Sequence, residues 1–200
     1  MKYELTDMVL ETEGGLVLHR IRALKNIPRY GVKQGDLGGW VESESNLSQD
    51  GNSWVSGDAR VYNNAQVTGD ARVSGDVQVY GNAWVYDNAW VYGNARVSGD
   101  AQVYDNACVY DNACITGNAR LLSRNSVFTA SYVGTENGTL TVTSGVSGLV
   151  VTRGCFTGSA DEFLERSRTV HDDKTHNEYR MLIEVAKSRI PVHAVPDTED

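Results

Sequence analysis

A six-residue phrase repeats thirteen times without an insertion between Gly51 and Phe128. Its frame is V-Y-G-N-A-W: an aliphatic residue recurs every six positions, and a small residue, most often Ala, lies two positions before it. A fixed short period of this kind predicts a repeat architecture in which each repeat stacks on its neighbours. The repeat therefore constrains the fold of this chain more than any other feature of the sequence.

The order of residue types within the hexad predicts one short strand and one corner. A spacing of two puts the small and the aliphatic residue, such as Ala89 and Val91, on the same inward face of a strand. The Gly/Asp-Asn/Asp pairs that open most hexads tolerate the left-handed backbone angles of turns. A helix is excluded because the aliphatic residues do not recur at 3.6-residue spacing and β-branched Val predominates.

This pattern resembles the hexapeptide-repeat, left-handed parallel β-helix family, whose motif is an aliphatic residue followed four positions later by a small one. The resemblance covers residues 51–128. It implies three hexads in each triangular coil, a little over four coils in this stretch, and a left-handed path. We therefore expect an all-β solenoid with a β-hairpin cap at its N-terminal end and a small helical element at its C-terminal end.

The segments that flank the repeat predict closing elements. Residues 3–24 read as a β-hairpin around Gly14 and Gly15. Two capping-box patterns, Ser159 with Glu162 and Thr175 with Glu178, predict the starts of two helices. The predicted divisions are an N-terminal β cap (1–48), the β-helix (49–128), irregular closing strands (129–154), a C-terminal helical element (155–190) and a disordered tail (191–200).

Two further motifs lie outside the repeat. The runs HRIRAL (19–24), GDLGGWVES (35–43) and NLS (46–48) resemble the N-terminal cap of a hexapeptide-repeat group found in tailed bacteriophages, prophages and some enterobacterial genomes. The run VTRGCFTGSADEF (151–163) is similar to a C-terminal module of several small phage proteins. GDLGGW could cradle an anion, but it lacks a phosphate-loop Lys-Ser/Thr and a following helix. Capping the open end of the solenoid is the expected role.

Residues eighteen positions apart are expected to stack, which places outward aromatic and arginine side chains in ladders. Contiguous exposed aromatic area usually marks an interface. Two uses remain open: self-association, as in the trimers common among hexapeptide β-helices, and capture of a ligand or partner. Both can hold if a ligand lies between subunits. The candidate binding residues are Trp84, Tyr86, Trp90, Tyr92, Tyr104 and Tyr110, together with Arg72, Arg96 and Arg120.

Charge and composition narrow the function classes. The net charge is −8, and residues 51–128 contain no Lys, no Glu and five Arg. Direct DNA binding through a basic stripe is therefore not expected. The absence of a signal peptide and of a membrane-spanning run favours the cytoplasm. The three Cys predict neither a disulfide nor a metal site.

Catalysis has to be considered because the related solenoids include acyltransferases and carbonic anhydrases, which use His as a general base or as metal ligands. The four His lie at positions 19, 171, 176 and 193, all outside the repeat. His171 and His176 with neighbouring acids could bind a metal, and Cys155 could be a nucleophile near His171. We expect His171 and His176 to lie in a solvated turn, and Cys155 to be a buried residue of the cap. We therefore predict no catalytic residue, no metal and no cofactor.

The sequence thus favours a non-catalytic, phage-type binding protein of the host cytoplasm, forming a homotrimer. As a host-interaction or anti-defence factor it would capture a small nucleotide-like ligand or a host protein. Stacked aromatic rings with Arg72, Arg96 or Arg120 alongside could sandwich bases and meet phosphates. The alternatives are a structural or assembly protein of the phage particle and a hexapeptide-repeat acyltransferase.

Overall fold

The repeat forms a parallel β-solenoid in a computed structural model that describes residues 1–191. Each hexad contributes one two-residue strand, consisting of an outward residue and an inward aliphatic one. The strands are β4 Trp54–Val55, β5 Arg60–Val61, β6 Gln66–Val67, β7 Arg72–Val73, β8 Gln78–Val79, β9 Trp84–Val85, β10 Trp90–Val91, β11 Arg96–Val97, β12 Gln102–Val103, β13 Cys108–Val109, β14 Cys114–Ile115 and β15 Arg120–Leu121.

Each strand pairs in parallel with the strand three hexads further along, which confirms the predicted eighteen-residue stacking. Trp90, for example, aligns with Arg72 on one side and with Cys108 on the other. The strands therefore form three faces: face A (β4, β7, β10, β13), face B (β6, β9, β12, β15) and face C (β5, β8, β11, β14). Side chains at equivalent hexad positions form ladders along each face.

The core of the solenoid is built from the two inward positions of every hexad. The aliphatic residues and the Ala residues between positions 55 and 121 are all at most 2% exposed. The backbone amides of the outward residues from Trp54 to Gln102 each donate to the next coil, as from Trp90 N to the Ala107 carbonyl at 2.9 Å. Left-handed corners are occupied by Gly and, where a side chain is present, by Asn63, Asp87, Asp105 and Asp111.

The N-terminal segment forms the predicted hairpin and then joins the solenoid. Strands β1 (Tyr3–Glu11) and β2 (Val17–Ala23) pair antiparallel, and β2 pairs with β3 (Leu37–Val41). Strand β3 is parallel to β5, so parallel pairing already begins within the GDLGGW motif. A Cβ at Gly39 would lie 2.6 Å from the Ala59 carbonyl oxygen. The Gly-rich run therefore permits close packing of backbone against the first coil.

Buried polar side chains fasten this hairpin to the solenoid. Lys2 Nζ donates to the Ser53 carbonyl at 2.7 Å and to Ser53 Oγ at 2.9 Å. The Tyr3 hydroxyl donates to the Leu47 carbonyl at 2.7 Å. The fully buried Asn46 donates through its amide to the Asn63 and Ala65 carbonyls, both at 2.9 Å. These contacts satisfy carbonyl groups at the end of the core that water would otherwise reach.

The chain after the repeat forms a regular antiparallel sheet, whereas the sequence suggested irregular closing strands. Its strands are β16 (Val127–Val133), β17 (Gly138–Gly145), β18 (Gly148–Arg153) and β19 (Phe156–Ser159), paired in that order. Strand β17 lies against the last coil, where Cys114 N donates to Thr141 Oγ1 at 3.1 Å. The sheet thus closes the C-terminal end of the solenoid.

Two helices pack on this sheet. Helix α1 (Ala160–Val170) begins with the predicted capping box, because Ser159 N donates to Glu162 Oε2 at 2.8 Å and Glu162 N donates to Ser159 Oγ at 3.2 Å. Helix α2 (Asp173–Arg189) begins two residues before the predicted Thr175 cap. That prediction was wrong because Asp172 is the N-cap: its Oδ1 accepts from Thr175 N at 2.8 Å.

The helices and the sheet share a second hydrophobic core, separate from that of the solenoid. Phe163 on α1 and Tyr179, Ile183 and Ala186 on α2 are buried against Leu140 and its neighbours in the sheet. This core places the end of α2 beside the last coils. The predicted disordered tail lies outside the described residues from position 192 onward.

Candidate functional site

The predicted binding residues are distributed over all three faces of the solenoid. Their positions follow from the hexad in which each lies. Face A carries Arg72, Trp90, Tyr92 and Tyr110, face B carries Trp84, Tyr86, Tyr104 and Arg120, and face C carries Arg96. The nine residues therefore do not meet in a single site on one copy of the chain.

The rings on face A form a continuous exposed ladder. The centroids of Trp90 and Tyr92 are 5.5 Å apart with a tilted arrangement, and those of Tyr92 and Tyr110 are 5.8 Å apart and stacked. Trp90 and Tyr110 are both 41% exposed, and Tyr92 is 36% exposed. Since strands of one face are spaced like strands of any sheet, successive coils repeat the rings at a separation suited to stacking.

This ladder forms one wall of a groove of about 680 Å³, here called the aromatic groove. The remaining lining comes from residues 124–129, which lead from the last coil into β16, and from the C-terminal residue of α2. The solenoid contributes Trp90, Tyr92, Cys108 and Tyr110, and the remaining lining includes Arg124, Asn125, Phe128 and Arg189. The groove therefore lies where the repeat meets the C-terminal module.

The lining of the aromatic groove carries two arginines in a chain that is acidic overall. Arg124 and Arg189 both line it, and none of its lining residues within the described part of the chain is Asp or Glu. Partial burial, with a smaller contribution from Cys108, raises the pKa of Tyr92 above its ordinary value. The Tyr92 hydroxyl therefore stays protonated at neutral pH and can donate a hydrogen bond. The groove combines flat apolar surfaces with two guanidinium groups.

Arg72 occupies a different place from the one expected of a phosphate ligand. Its guanidinium carbon lies 5.4 Å from the ring centroid of Trp90 and 5.4 Å from that of Tyr30. Its Nε is buried and has no hydrogen-bond partner among residues 1–191. Arg72 is therefore packed between two aromatic rings and supports Trp90 from the side away from the aromatic groove.

The rings of face B form a second ladder. Tyr86 and Tyr104 stack with parallel rings whose centroids are 4.9 Å apart, and Trp84 meets Tyr86 edge-on at 5.6 Å. Trp84 is 44% exposed, and its Nε1 donates to Gln66 Oε1 at 2.8 Å. Burial raises the pKa of both Tyr86 and Tyr104. This ladder is an apolar surface with phenolic groups that remain protonated.

The sequence analysis did not predict that Arg124 and Arg189 line the aromatic groove. Phe128 does lie on the same eighteen-residue column as Tyr92 and Tyr110, and Arg124 belongs to the last hexad, so the period held a signal for that segment. Arg189 follows the repeat by more than sixty residues, and its position depends on how α2 packs. No periodicity could have indicated it.

The other candidate groups lie in the C-terminal module. We expected Cys155 to be buried, but it is exposed in the turn between β18 and β19. The reason is that Gly154 adopts the left-handed conformation of a tight turn there. Cys155 and His171 line a common cavity.

Among residues 1–191, no group of three His, Cys, Asp or Glu could hold a metal ion, and His193 lies outside that range. No helix in the same range has the length and hydropathy to cross a bilayer.

Comparison with known proteins adds one match, confined to the solenoid. The family model of the YdcK beta solenoid repeat matches four overlapping segments, residues 65–81, 77–93, 89–105 and 101–115. These segments cover about a quarter of the chain. No curated protein sequence matches it. The matched repeats and the parallel pairing of strands β4–β15 together make this chain a repeat β-solenoid protein.

Proposed function

We propose that this chain is a non-catalytic binding protein that holds a small nucleotide-like ligand in the aromatic groove. The observation that carries the proposal is the meeting of an exposed aromatic ladder and two arginines in one cavity of about 680 Å³. Small-molecule sites usually measure about 300–1,000 Å³ and combine apolar walls with a few polar groups. The groove has the size and the chemistry of such a site.

The aromatic rings of the groove suit the base of a nucleotide, and its arginines suit the phosphate. Stacking of a base on an aromatic side chain contributes roughly 1–3 kcal/mol, and Trp90 and Tyr110 present exposed ring surface for it. A guanidinium group forms paired charge-assisted hydrogen bonds with phosphate oxygens, and Arg124 and Arg189 are the groups in reach of the cavity. A nucleotide whose base lies against face A and whose phosphate points toward α2 would contact both the rings and the arginines.

The composition of the groove supports binding over catalysis. None of its lining residues among positions 1–191 is His, Asp or Glu, which are the side chains most often used as general bases. An acyltransferase of this fold would need such a base beside its acceptor. The groove instead offers amide, hydroxyl, thiol, guanidinium and ring surfaces that suit recognition of a ligand.

The proposal extends to the oligomer and to the biological setting. Face B, with Trp84 exposed beside the stacked Tyr86 and Tyr104, is the surface through which we propose that the chain forms a homotrimer or meets a host protein. The likeness of its terminal motifs to those of phage proteins supports a role in the cytoplasm of an infected host, as an anti-defence factor that removes a signalling nucleotide.

A pair of matched double variants tests the proposal. We expect nucleotides to quench the tryptophan fluorescence of the full chain and to bind with measurable affinity in equilibrium dialysis. Trp90→Ala with Tyr92→Ala should abolish binding, because it removes one wall of the groove. Trp84→Ala with Tyr86→Ala removes equivalent rings on face B and should leave nucleotide binding unchanged.

Either of two results would overturn the proposal. One is an absence of binding across mononucleotides, dinucleotides and cyclic nucleotides. The other is equal binding by the two double variants, provided that their far-ultraviolet circular dichroism matches that of the parent chain. A trimer that persists in the face A variant and dissociates in the face B variant would support the assignment of face B.

A further inference from the structure

A second cavity, of about 250 Å³, lies in the C-terminal module and is distinct from the aromatic groove. It is bounded by α1, by the connection between α1 and α2, and by the β16–β17 and β18–β19 turns. Four of its lining residues form a chain of rings, in which neighbouring centroids are 5.1–5.5 Å apart: Phe156, Phe163, Tyr179 and His171. The cavity thus has an aromatic floor made of edge-to-face and tilted contacts.

Cationic and titratable side chains surround this floor. Arg153, Arg166 and His171 all line the cavity. The Arg166 guanidinium carbon lies 5.9 Å from the Phe156 ring centroid, so its charge is held beside the floor. The acidic residue at the rim is Glu136, whose side chain is 84% exposed and whose carboxylate lies 3.9 Å from Arg153 Nη1. Among the residues that line the cavity, two arginines therefore face one carboxylate.

Arg153 is fixed in position by the backbone around it. Its Nη2 donates to the Val133 carbonyl at 3.1 Å, and its side chain is only 12% exposed. A Cβ at Gly138 would lie 2.5 Å from Arg153 Cζ, so the guanidinium group rests directly against that glycine. A neutral carbonyl and a distant, solvated carboxylate leave much of the charge of this guanidinium group uncompensated. The charge of Arg153 therefore adds to that of Arg166 around the cavity.

We propose that this cavity binds a small aromatic carboxylate. A planar ring fits a floor built of aromatic edges and faces, and a carboxylate matches the forked donors of Arg166 at the rim. Glu136 disfavours ligands with several negative charges, and the cavity has less than half the volume of the aromatic groove. A nucleotide is therefore a poor fit here, and the two sites differ in the ligand class that they select.

The test uses the full chain and the probe 4-fluorobenzoate, followed by fluorine NMR titration. The parent protein should broaden and shift the probe signal. Arg166→Gln should weaken binding about tenfold, as expected for the loss of one charge-assisted hydrogen bond. Arg168→Gln is the matched control, because Arg168 is exposed on the same helix and does not line the cavity. It should bind the probe like the parent chain.

Three further measurements locate the bound probe and test the part played by its charge. Alkylation of Cys155, which lines the cavity and is exposed, should slow when the probe is present. The variant with Trp90→Ala and Tyr92→Ala should retain the probe, so that failure of the aromatic groove as a nucleotide site would not affect this result. The uncharged analogue 4-fluorobenzamide should bind at least tenfold more weakly than the carboxylate.

Three outcomes would overturn the proposal. The first is no binding of 4-fluorobenzoate at millimolar concentration by the folded parent chain. The second is equal affinity in Arg166→Gln and Arg168→Gln, which would mean that the rim charge plays no part. The third is equal affinity for the carboxylate and the amide, which would reduce the cavity to an unspecific apolar pocket.

Discussion

Raising the pH from 8 to 10 should stabilise the fold through the buried amino group of Lys2. The side chain has no exposed surface, and its Nζ donates to Ser53. Desolvation, with a further contribution from the charge of Lys25, lowers the pKa of Lys2 from 10.5 to about 8, while Asp50 and Asp70 oppose the shift. The folded chain therefore releases this proton at a lower pH than the unfolded chain does.

The sign of the effect follows from proton counting. Between pH 8 and pH 10.5 the unfolded state holds more protons on Lys2 than the folded state, so the free energy of unfolding rises with pH. At about 1.4 kcal/mol per pKa unit, the whole difference amounts to roughly 3 kcal/mol, of which about 2 kcal/mol develops between pH 8 and pH 10. The gain is lost as the pH falls through the folded-state pKa of about 8.

Other buried groups act with the opposite sign at the alkaline end, so the assay needs a reference variant. Burial raises the pKa of Tyr30, Tyr62 and Cys114, and the folded state therefore keeps protons that the unfolded state loses near and above pH 9–10. Lys2→Met removes the amino group and leaves these groups in place. Comparing the two proteins isolates the contribution of Lys2.

Urea unfolding followed by circular dichroism at pH 8, 9 and 10 measures the effect. The free energy of unfolding of the parent chain, relative to that of Lys2→Met, should increase by about 2 kcal/mol over this range. Parallel pH profiles for the two proteins would refute the reasoning, because they would mean that Lys2 has the same pKa in the folded and unfolded states.

Three further substitutions, one of which is a control, test local features of the fold. Gly75→Ala should destabilise the solenoid by about 2 kcal/mol or more, because φ at Gly75 is +88° and the added Cβ would lie 2.6 Å from the Gly93 carbonyl oxygen. Gly154→Ala, with φ of +58° and nothing within 4 Å of the Cβ, should cost less in the same thermal or urea unfolding experiment, and equal losses would contradict the close stacking of corners. Ser159→Ala should lower the free energy of unfolding by about 1 kcal/mol through loss of the α1 cap, whereas no change would show that the capping box adds no stability.

The sequence was most informative where one local rule repeats. Ala89 and Val91 could be placed in the core, and Trp90 outside it, because strand geometry alone fixes which side chains share a face. Trp40 and Val41 follow the same rule, and Leu47 comes six residues after Val41. The next inward aliphatic residue, Val55, comes eight residues after Leu47 instead of six. This break in the period and the Gly-rich sequence around Trp40 concealed that Trp40 and Val41 belong to the solenoid. They pair with Arg60 and Val61 as another coil would.

Features that depend on long-range packing could not be predicted from the local sequence. Arg189 reaches the aromatic groove only because α2 packs on the sheet through Tyr179 and Ile183. The start of α2 depended on a choice between Asp172 and Thr175, two residues that both favour N-cap positions. The capping-box pattern favoured Thr175, whereas in the structure Asp172 is the N-cap and Thr175 is buried inside the module.

Native mass spectrometry of the full chain in a mixture of nucleotides would show ligand capture in the aromatic groove directly. We expect an added mass of one nucleotide per chain on the parent protein and none on the variant with Trp90→Ala and Tyr92→Ala. The same spectrum reports whether the chain is a trimer. A parent protein that carries no nucleotide, or a variant that carries as much as the parent, would rule out nucleotide capture in this groove.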